Sequence, residues 1–358
     1  MTQPLSTPVP TSPDTRSSSP PAIVVHVGDG GWRRFFCWIG WLGFLICLAI
    51  VVSNRVALRE YFDTTNGVQE KYFSGSQTSR DKVAILSVTG AIVEESDFVK
   101  AQVERACKDD HVKAVVVRVV SPGGTITGSD YIYHHLQRLR KERQLPVVVS
   151  MGSIAASGGY YVSMAVGDQP KSIYAEPTTT TGSIGVIIPH YDLSGLLERF
   201  QVKNDSIVSH PRKQMLSMTR TISNEDRQIL QSHVNEAFTR FKDIVKEGRP
   251  VFRKDTTALD QLATGEIYSA VQAKKHGLVD EIGFIEDAVD RAIELAQLDK
   301  EATRVVKYQR TSSLWDLPFL AEAQTRSLDP RTVLDLNAPQ AYYLATTLPA
   351  LISSGKPE

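Results

Sequence analysis

The chain has 358 residues, 42% of them hydrophobic, with 40 Lys and Arg set against 40 Asp and Glu. That balance provides no field to recruit nucleic acid, so nucleic acid is excluded as an expected partner. Of three cysteines, Cys37 and Cys47 lie in an apolar segment and only Cys107 lies beyond it, which excludes a disulfide framework in the soluble part and any CxxC metal or redox motif.

Residues 1–31 are rich in Pro, Ser and Thr, and apart from Ile23, Val24 and Val25 they hold almost no large apolar side chains. Too little surface can be buried to offset ordering, so this stretch reads as a disordered N-terminal segment. Residues 35–52, FFCWIGWLGFLICLAIVV, run for eighteen residues without a charge. As a helix this is about 27 Å, near the roughly 30 Å of bilayer hydrocarbon. Trp32, Trp38 and Trp41 crowd its first end, where an aromatic belt sits. It is expected to be a transmembrane helix rather than a signal peptide, since no A-x-A-like exit follows. Arg33 and Arg34 favour a cytoplasmic N-terminus, and Arg55, Arg59 and Lys71 on the far side weaken that vote.

Residues 53–80 read as a linker, 81–300 as the folded domain and 301–358 as a C-terminal tail. Strands are expected at VAILSV (83–88), VKAVVVRVV (112–120), residues 146–151, SIYA (172–175), SIGVII (183–188) and VKNDSIV (202–208). Helical spacing appears at Val99, Val103 and Ala106, and again at Ile132, Leu136 and Leu139, with a short helix near 192–199. A long helix starts at Ser223, with Asp226 as a capping-box variant, and stops at Gly248 before Pro250. Further helices are expected over 269–276, ended by Gly277, and around 284–297. Strands alternating with helices imply crossover connections, hence an α/β fold with a largely parallel sheet.

The chemistry concentrates in small-residue turns. In VVVSMGSIAASGGYY (147–161) a β-branched strand runs into a turn with one hydroxyl, Ser157, among Ala and Gly. Such a turn lets another backbone approach closely and fits a nucleophile; it equally fits a tight packing turn. The base for such a serine is one of His111, His134, His135, His190, His210, His233 and His276, or a lysine kept neutral by its surroundings. Lys213 lies in SHPRKQMLSM (209–218), with Met215, Leu216 and Met218 as apolar cover and Arg212 beside it; a solvated loop lysine fits the same letters. SPGG (121–124) ends the preceding strand, so in a parallel sheet its Gly124 amide and that of Gly158 can meet at one edge as an oxyanion hole. No GxGxxG or GxxxxGK[ST] occurs at either turn, and no cluster has metal-ligand spacing, so neither a cofactor nor a metal is expected.

Taken together, SPGG, GSIAASGGYY, TGSIGV (181–186), SHPRK and GEIYSAVQAKKHGLVDEIG (265–283) resemble, in order, the signal peptide peptidase A (SppA) family of membrane-anchored serine peptidases, in its short, single-catalytic-domain form. The agreement spans about residues 82–297; the segment 166–171, VGDQPK, is longer than the family's usual pattern. The resemblance implies a ClpP/crotonase-like fold and a Ser-Lys dyad. By motif position Ser157 would be the nucleophile, Lys213 the general base and Ser183 the residue orienting that lysine. Gly124 and Gly158 would form the oxyanion hole. It implies a serine endopeptidase acting on apolar peptides such as signal peptide remnants, assembled as a homo-oligomer in which Ser and Lys come from neighbouring copies. The location it implies is a bacterial cytoplasmic membrane, single-pass, with the catalytic domain outside the cytoplasm. The rival readings are a catalytically silent membrane scaffold of the same fold and a crotonase-like acyl-CoA enzyme.

Overall fold

A computed structural model of the chain describes residues 31–61, 67–93, 97–310 and 342–344. The disorder reading of residues 1–30 lies outside them, as does the tail reading for residues 311–341 and 345–358. The chain divides into two compact units, Met1–Phe62 and Asp63–Glu358.

The first unit contributes one helix, α1 (Gly31–Tyr61). Its window Phe36–Arg55 has a mean hydropathy of 2.3 and is 0% buried, so it is long and apolar enough to cross a membrane. It runs past the expected 35–52 at both ends; beyond residue 52 neither Gly nor Pro occurs before Tyr61 to stop it.

The second unit is built on a nine-stranded, mostly parallel sheet. In chain order its elements begin β1 (Val68–Gly75), β2 (Lys82–Thr89), α2 (Asp97–Lys108), β3 (Val112–Ser121), β4 (Gly123–Thr125), α3 (Ile126–Arg143), β5 (Val147–Ala156) and α4 (Gly158–Ser163). Then come β6 (Ile173–Ala175), β7 (Thr180–Gly182), α5 (Ser194–Arg199), α6 (Asn224–Gly248), α7 (Val251–Lys254) and α8 (Thr256–Leu262). The last are β8 (Ile267–Ser269), α9 (Ala270–Lys275), β9 (Glu281–Ile282), α10 (Ile285–Leu295), β10 (Arg304–Arg310) and β11 (Tyr342–Leu344). The main sheet runs β1-β10-β2-β3-β5-β6-β9, with β7 joining β5 to β8, while β11 and β4 form a separate pair.

Continuous β-branched runs make the central strands because both sheet faces are covered. On one face Leu86, Val117, Val149 and Met151 pack with Leu136 and Leu139 of α3 and Phe241 of α6. On the other, Ile85, Val116 and Val148 meet Ala288, Ala292 and Ile293 of α10.

Several elements differ from the sequence reading. The linker 53–80 contains β1, an edge strand antiparallel to β10 and tied to β2 by Lys82 Nζ, which lies 2.8 Å from Glu70 and 2.6 Å from Asp109. Its polar, half-exposed pattern hides it from a search for apolar runs. β10 likewise carries the sheet past residue 300. VKNDSIV forms no strand, since every residue from 202 to 208 is exposed with no neighbouring strand to pair. At 183–188 the strand is instead the preceding TTG, β7, paired to β5 and β8. At α6 the Ser223 hydroxyl accepts from the Asp226 amide at 3.1 Å, but the Asp226 carboxylate binds Arg220 at 2.5 Å instead of closing a capping box.

Candidate active site

Ser157 stands where β5 ends and α4 begins. The last residues of β5 pair with β7, and the Ser157 amide donates to Gly182 O at 2.8 Å. The chain then turns sharply: Ser157 has φ 53° and ψ −115°, a conformation L-residues rarely adopt. This is the strained strand-to-helix geometry that holds a hydroxyl at the tip of a turn. Ser157 is only 1% exposed in the isolated chain and its hydroxyl makes no capping hydrogen bond.

The two tyrosines that follow fix α4. Tyr160 OH donates to Leu278 O at 2.8 Å, and burial pushes its phenol up, keeping it a donor. Tyr161 OH donates to Asp130 of α3 at 2.5 Å, and its ring lies 5.5 Å from Tyr133 and 5.2 Å from Phe241. The GLVDEIG stretch serves the same frame. Asp280 accepts from the amides of Ser172 and Ile173 at 2.9 Å each and from Arg249 at 2.8 Å, while Arg249 also donates to Gly277 O.

Gly124 and Gly158 meet beside Ser157. The Ile92 amide donates to Gly123 O at 2.8 Å, and the Thr125 amide donates to Ile92 O at 2.8 Å. In a planar trans peptide the C=O and N–H point opposite ways. Gly124 therefore turns its own N–H and C=O away from Ile92. A Cβ on Gly124 would fall 1.8 Å from Ile92 O, so no side chain fits. A Cβ on Gly158 would lie 3.2 Å from the Gly124 nitrogen and 2.4 Å from Ser129 Oγ. Sequence reasoning missed Ser129, whose hydroxyl donates to Thr125 O at 2.8 Å. The signal was the small pair Gly128-Ser129 one turn into the helix after SPGG.

Ser183 follows Gly182 directly, so a single peptide links it to the carbonyl that holds Ser157. It is 8% exposed, has φ 52°, and its amide donates to Glu266 O at 2.6 Å. The structure thus brings Ser157, Gly158, Gly124 and Ser183 together. Lys213 is placed differently. It sits in a short 3-10 turn, Pro211–Gln214, on an arm from 185 to 225 that holds no buried residue. Lys213 is exposed, so Met215, Leu216 and Met218 do not cover it within one chain. Among the described residues no hydrogen bond joins its side chain to Ser157 or Ser183. The arm is apolar and bare: Tyr191 is 52%, Leu196 53%, Phe200 70% and Ile207 103% exposed.

Among the described residues no histidine side chain hydrogen-bonds Ser157: His190 meets Ser217 O at 3.3 Å, and His210 Nδ1 accepts the Arg212 amide at 3.2 Å. Among those residues no group of three or more His, Cys, Asp or Glu is placed to hold a metal ion. The arrangement sets a serine hydroxyl beside two glycine-rich backbone turns, Gly123-Gly124 and Gly158-Gly159.

Comparison with known proteins bears on that chemistry. Residues 139–299 match the model of peptidase family S49. The chain is 36% identical over 250 residues to a putative signal peptide peptidase SppA of Enterococcus faecium, covering 66% of this chain and 70% of that one. It is 36% identical over 224 residues to a putative protease of Synechocystis, covering 63% and 78% respectively. Protease 4 of Salmonella typhi also matches at 36% identity, over 60% of this chain and only 35% of its own length.

Proposed function

Since this chain belongs to peptidase family S49, the SppA family, and is a serine peptidase, we propose that it is a membrane-anchored endopeptidase working through Ser157 and Lys213. The neutral amine of Lys213 takes the Ser157 hydroxyl proton as Oγ attacks the scissile carbonyl. The amides of Gly124 and Gly158 receive the negative charge of the tetrahedral intermediate. The protonated lysine gives its proton to the leaving amine, and the peptide's acyl part stays on Ser157 as an ester. Water, deprotonated by Lys213, then attacks that ester and releases the second product with Ser157 restored.

What supports this reading most is the 3.2 Å approach of a Gly158 Cβ position to the Gly124 nitrogen, beside the strained Ser157. Lys213 acts as a base only when neutral, and desolvation favours the neutral form. An exposed lysine on a bare apolar arm gains that cover when the arm docks on another copy. The enzyme is therefore read as a homo-oligomer whose sites combine Ser157 of one copy with Lys213 of the next. Ser183 orients the incoming amine. Helix α1 anchors the chain in a bilayer with the catalytic unit on the extracytoplasmic side. Apolar peptides at that surface, signal peptide remnants among them, are its substrates.

The test is cleavage of an apolar peptide by the full chain. Ser157→Ala, Lys213→Ala and Lys213→Arg each abolish cleavage, since arginine stays charged. Mixing the two alanine variants restores on the order of a quarter of the activity, because randomly alternating copies rebuild some intact sites. Full activity in any single variant overturns the dyad, and a silent mixture overturns its sharing between copies.

A further inference from the structure

The turn that carries Lys213 is held at its start by one residue. His210 precedes the 3-10 turn Pro211–Gln214 in extended backbone, φ −157° and ψ 141°, the conformation a following proline favours. Its carbonyl accepts the Lys213 amide at 2.9 Å, and its ring Nδ1 accepts the Arg212 amide at 3.2 Å. Pro211, between them, has no N–H to satisfy. The start of the turn therefore needs no water for its amides, as cover by a second copy demands. A ring nitrogen accepts a hydrogen bond only where it carries no proton, so the capping ring is neutral with its hydrogen on Nε2. Neither nitrogen is then free to take a proton from Ser157, which separates His210 from the candidate bases.

We propose that His210 is a positioning residue for Lys213. Its ring and its carbonyl together fix the first two amides of the turn, and with them the point from which the Lys213 side chain leaves the backbone. The inference rests on the reading of Lys213 as the base. An amine that must meet a hydroxyl of another copy works only from a fixed backbone, because a misplacement of about 1 Å costs on the order of a hundredfold in rate. The arm itself offers Lys213 no buried neighbour to fix it, so the local cap carries that task.

The test is peptide cleavage by the full chain carrying His210→Ala or His210→Asn. His210→Ala removes the ring acceptor and is expected to lower kcat by about two- to thirtyfold, the range a lost cap covers, with KM unchanged. His210→Asn supplies an amide oxygen at the cap position and is expected to bring kcat back to within about twofold of the unaltered chain. Amide hydrogen exchange over residues 209–218 should rise in His210→Ala and return in His210→Asn. A kcat unmoved by His210→Ala overturns the proposal, as does an effect confined to KM. His210→Asn as inactive as His210→Ala also overturns it, since the ring would then have a chemical part that a cap does not need. If Lys213→Ala keeps activity, it is the dyad that falls. A Lys213-dependent enzyme indifferent to His210→Ala removes only the positioning role.

Discussion

The Ser157 amide is held by the carbonyl of Gly182 at 2.8 Å, and both residues, with Ser183, have positive φ. The position of Ser157 is thus written into the β5–β7 pairing rather than into the short helix after it. Gly182→Ala tests this. At φ 83° its new Cβ would meet Tyr268 Cδ2 at 2.5 Å. The expected cost is about 1–3 kcal/mol of stability, read by urea unfolding, with peptide cleavage falling more steeply than the folded fraction.

Ser157 itself stores strain. With φ 53° and ψ −115° it occupies a region that costs about 1–3 kcal/mol for a residue with a Cβ. Ser157→Gly is therefore expected to raise the unfolding midpoint while abolishing cleavage, and Ser157→Ala to abolish cleavage without that gain. Thermal melts of the two variants side by side distinguish strain from simple loss of the hydroxyl.

Asp280 is a structural staple. It joins the start of β6 to Arg249 at the end of α6, with side-chain exposures of 10% for Arg249 and 18% for Asp280. Asp280→Ala leaves two amides and a guanidinium without their acceptor, and the expected loss is roughly 3 kcal/mol. Chemical denaturation measures it. Peptide cleavage per folded molecule should stay near that of the unaltered chain.

The parallel core was legible because β-branched runs such as Val115-Val116-Val117 have little choice but a doubly covered strand. The meeting of SPGG with the Ser157 turn followed from two adjacent parallel strands, β3 and β5. What escaped reading was set by partners distant in sequence. β1 is polar and half-exposed, and only β10 makes it a strand. β11 is three residues long and gets its structure from the backbone of β4. In 202–208 Val202, Ile207 and Val208 spell a strand, yet they are the exposed face of an arm, because apolar letters do not say which chain will cover them. The bareness of Lys213 has the same cause.

Acid conditions should loosen that arm. Hydrogen bonds from the Ser194 hydroxyl at 2.5 Å, the Ser194 amide at 2.9 Å and the Thr221 hydroxyl at 2.8 Å hold the Asp192 carboxyl down to about 2, from an ordinary 3.8. A depressed folded-state value means the group's stabilisation is fully present above 3.8 and is lost as pH falls towards about 2. Carboxyl NMR of Asp192 should give a midpoint near the lower figure. Asp192→Asn should flatten the acid response of the arm, seen as amide exchange at Ser194 and Thr221.

The most direct measurement of the central claim is covalent labelling of the full chain with a fluorophosphonate, followed by mapping of the labelled peptide. The expected result is a label on Ser157 that disappears in Lys213→Ala and in Lys213→Arg. A label on another residue, or an undiminished label on Ser157 without Lys213, would contradict it.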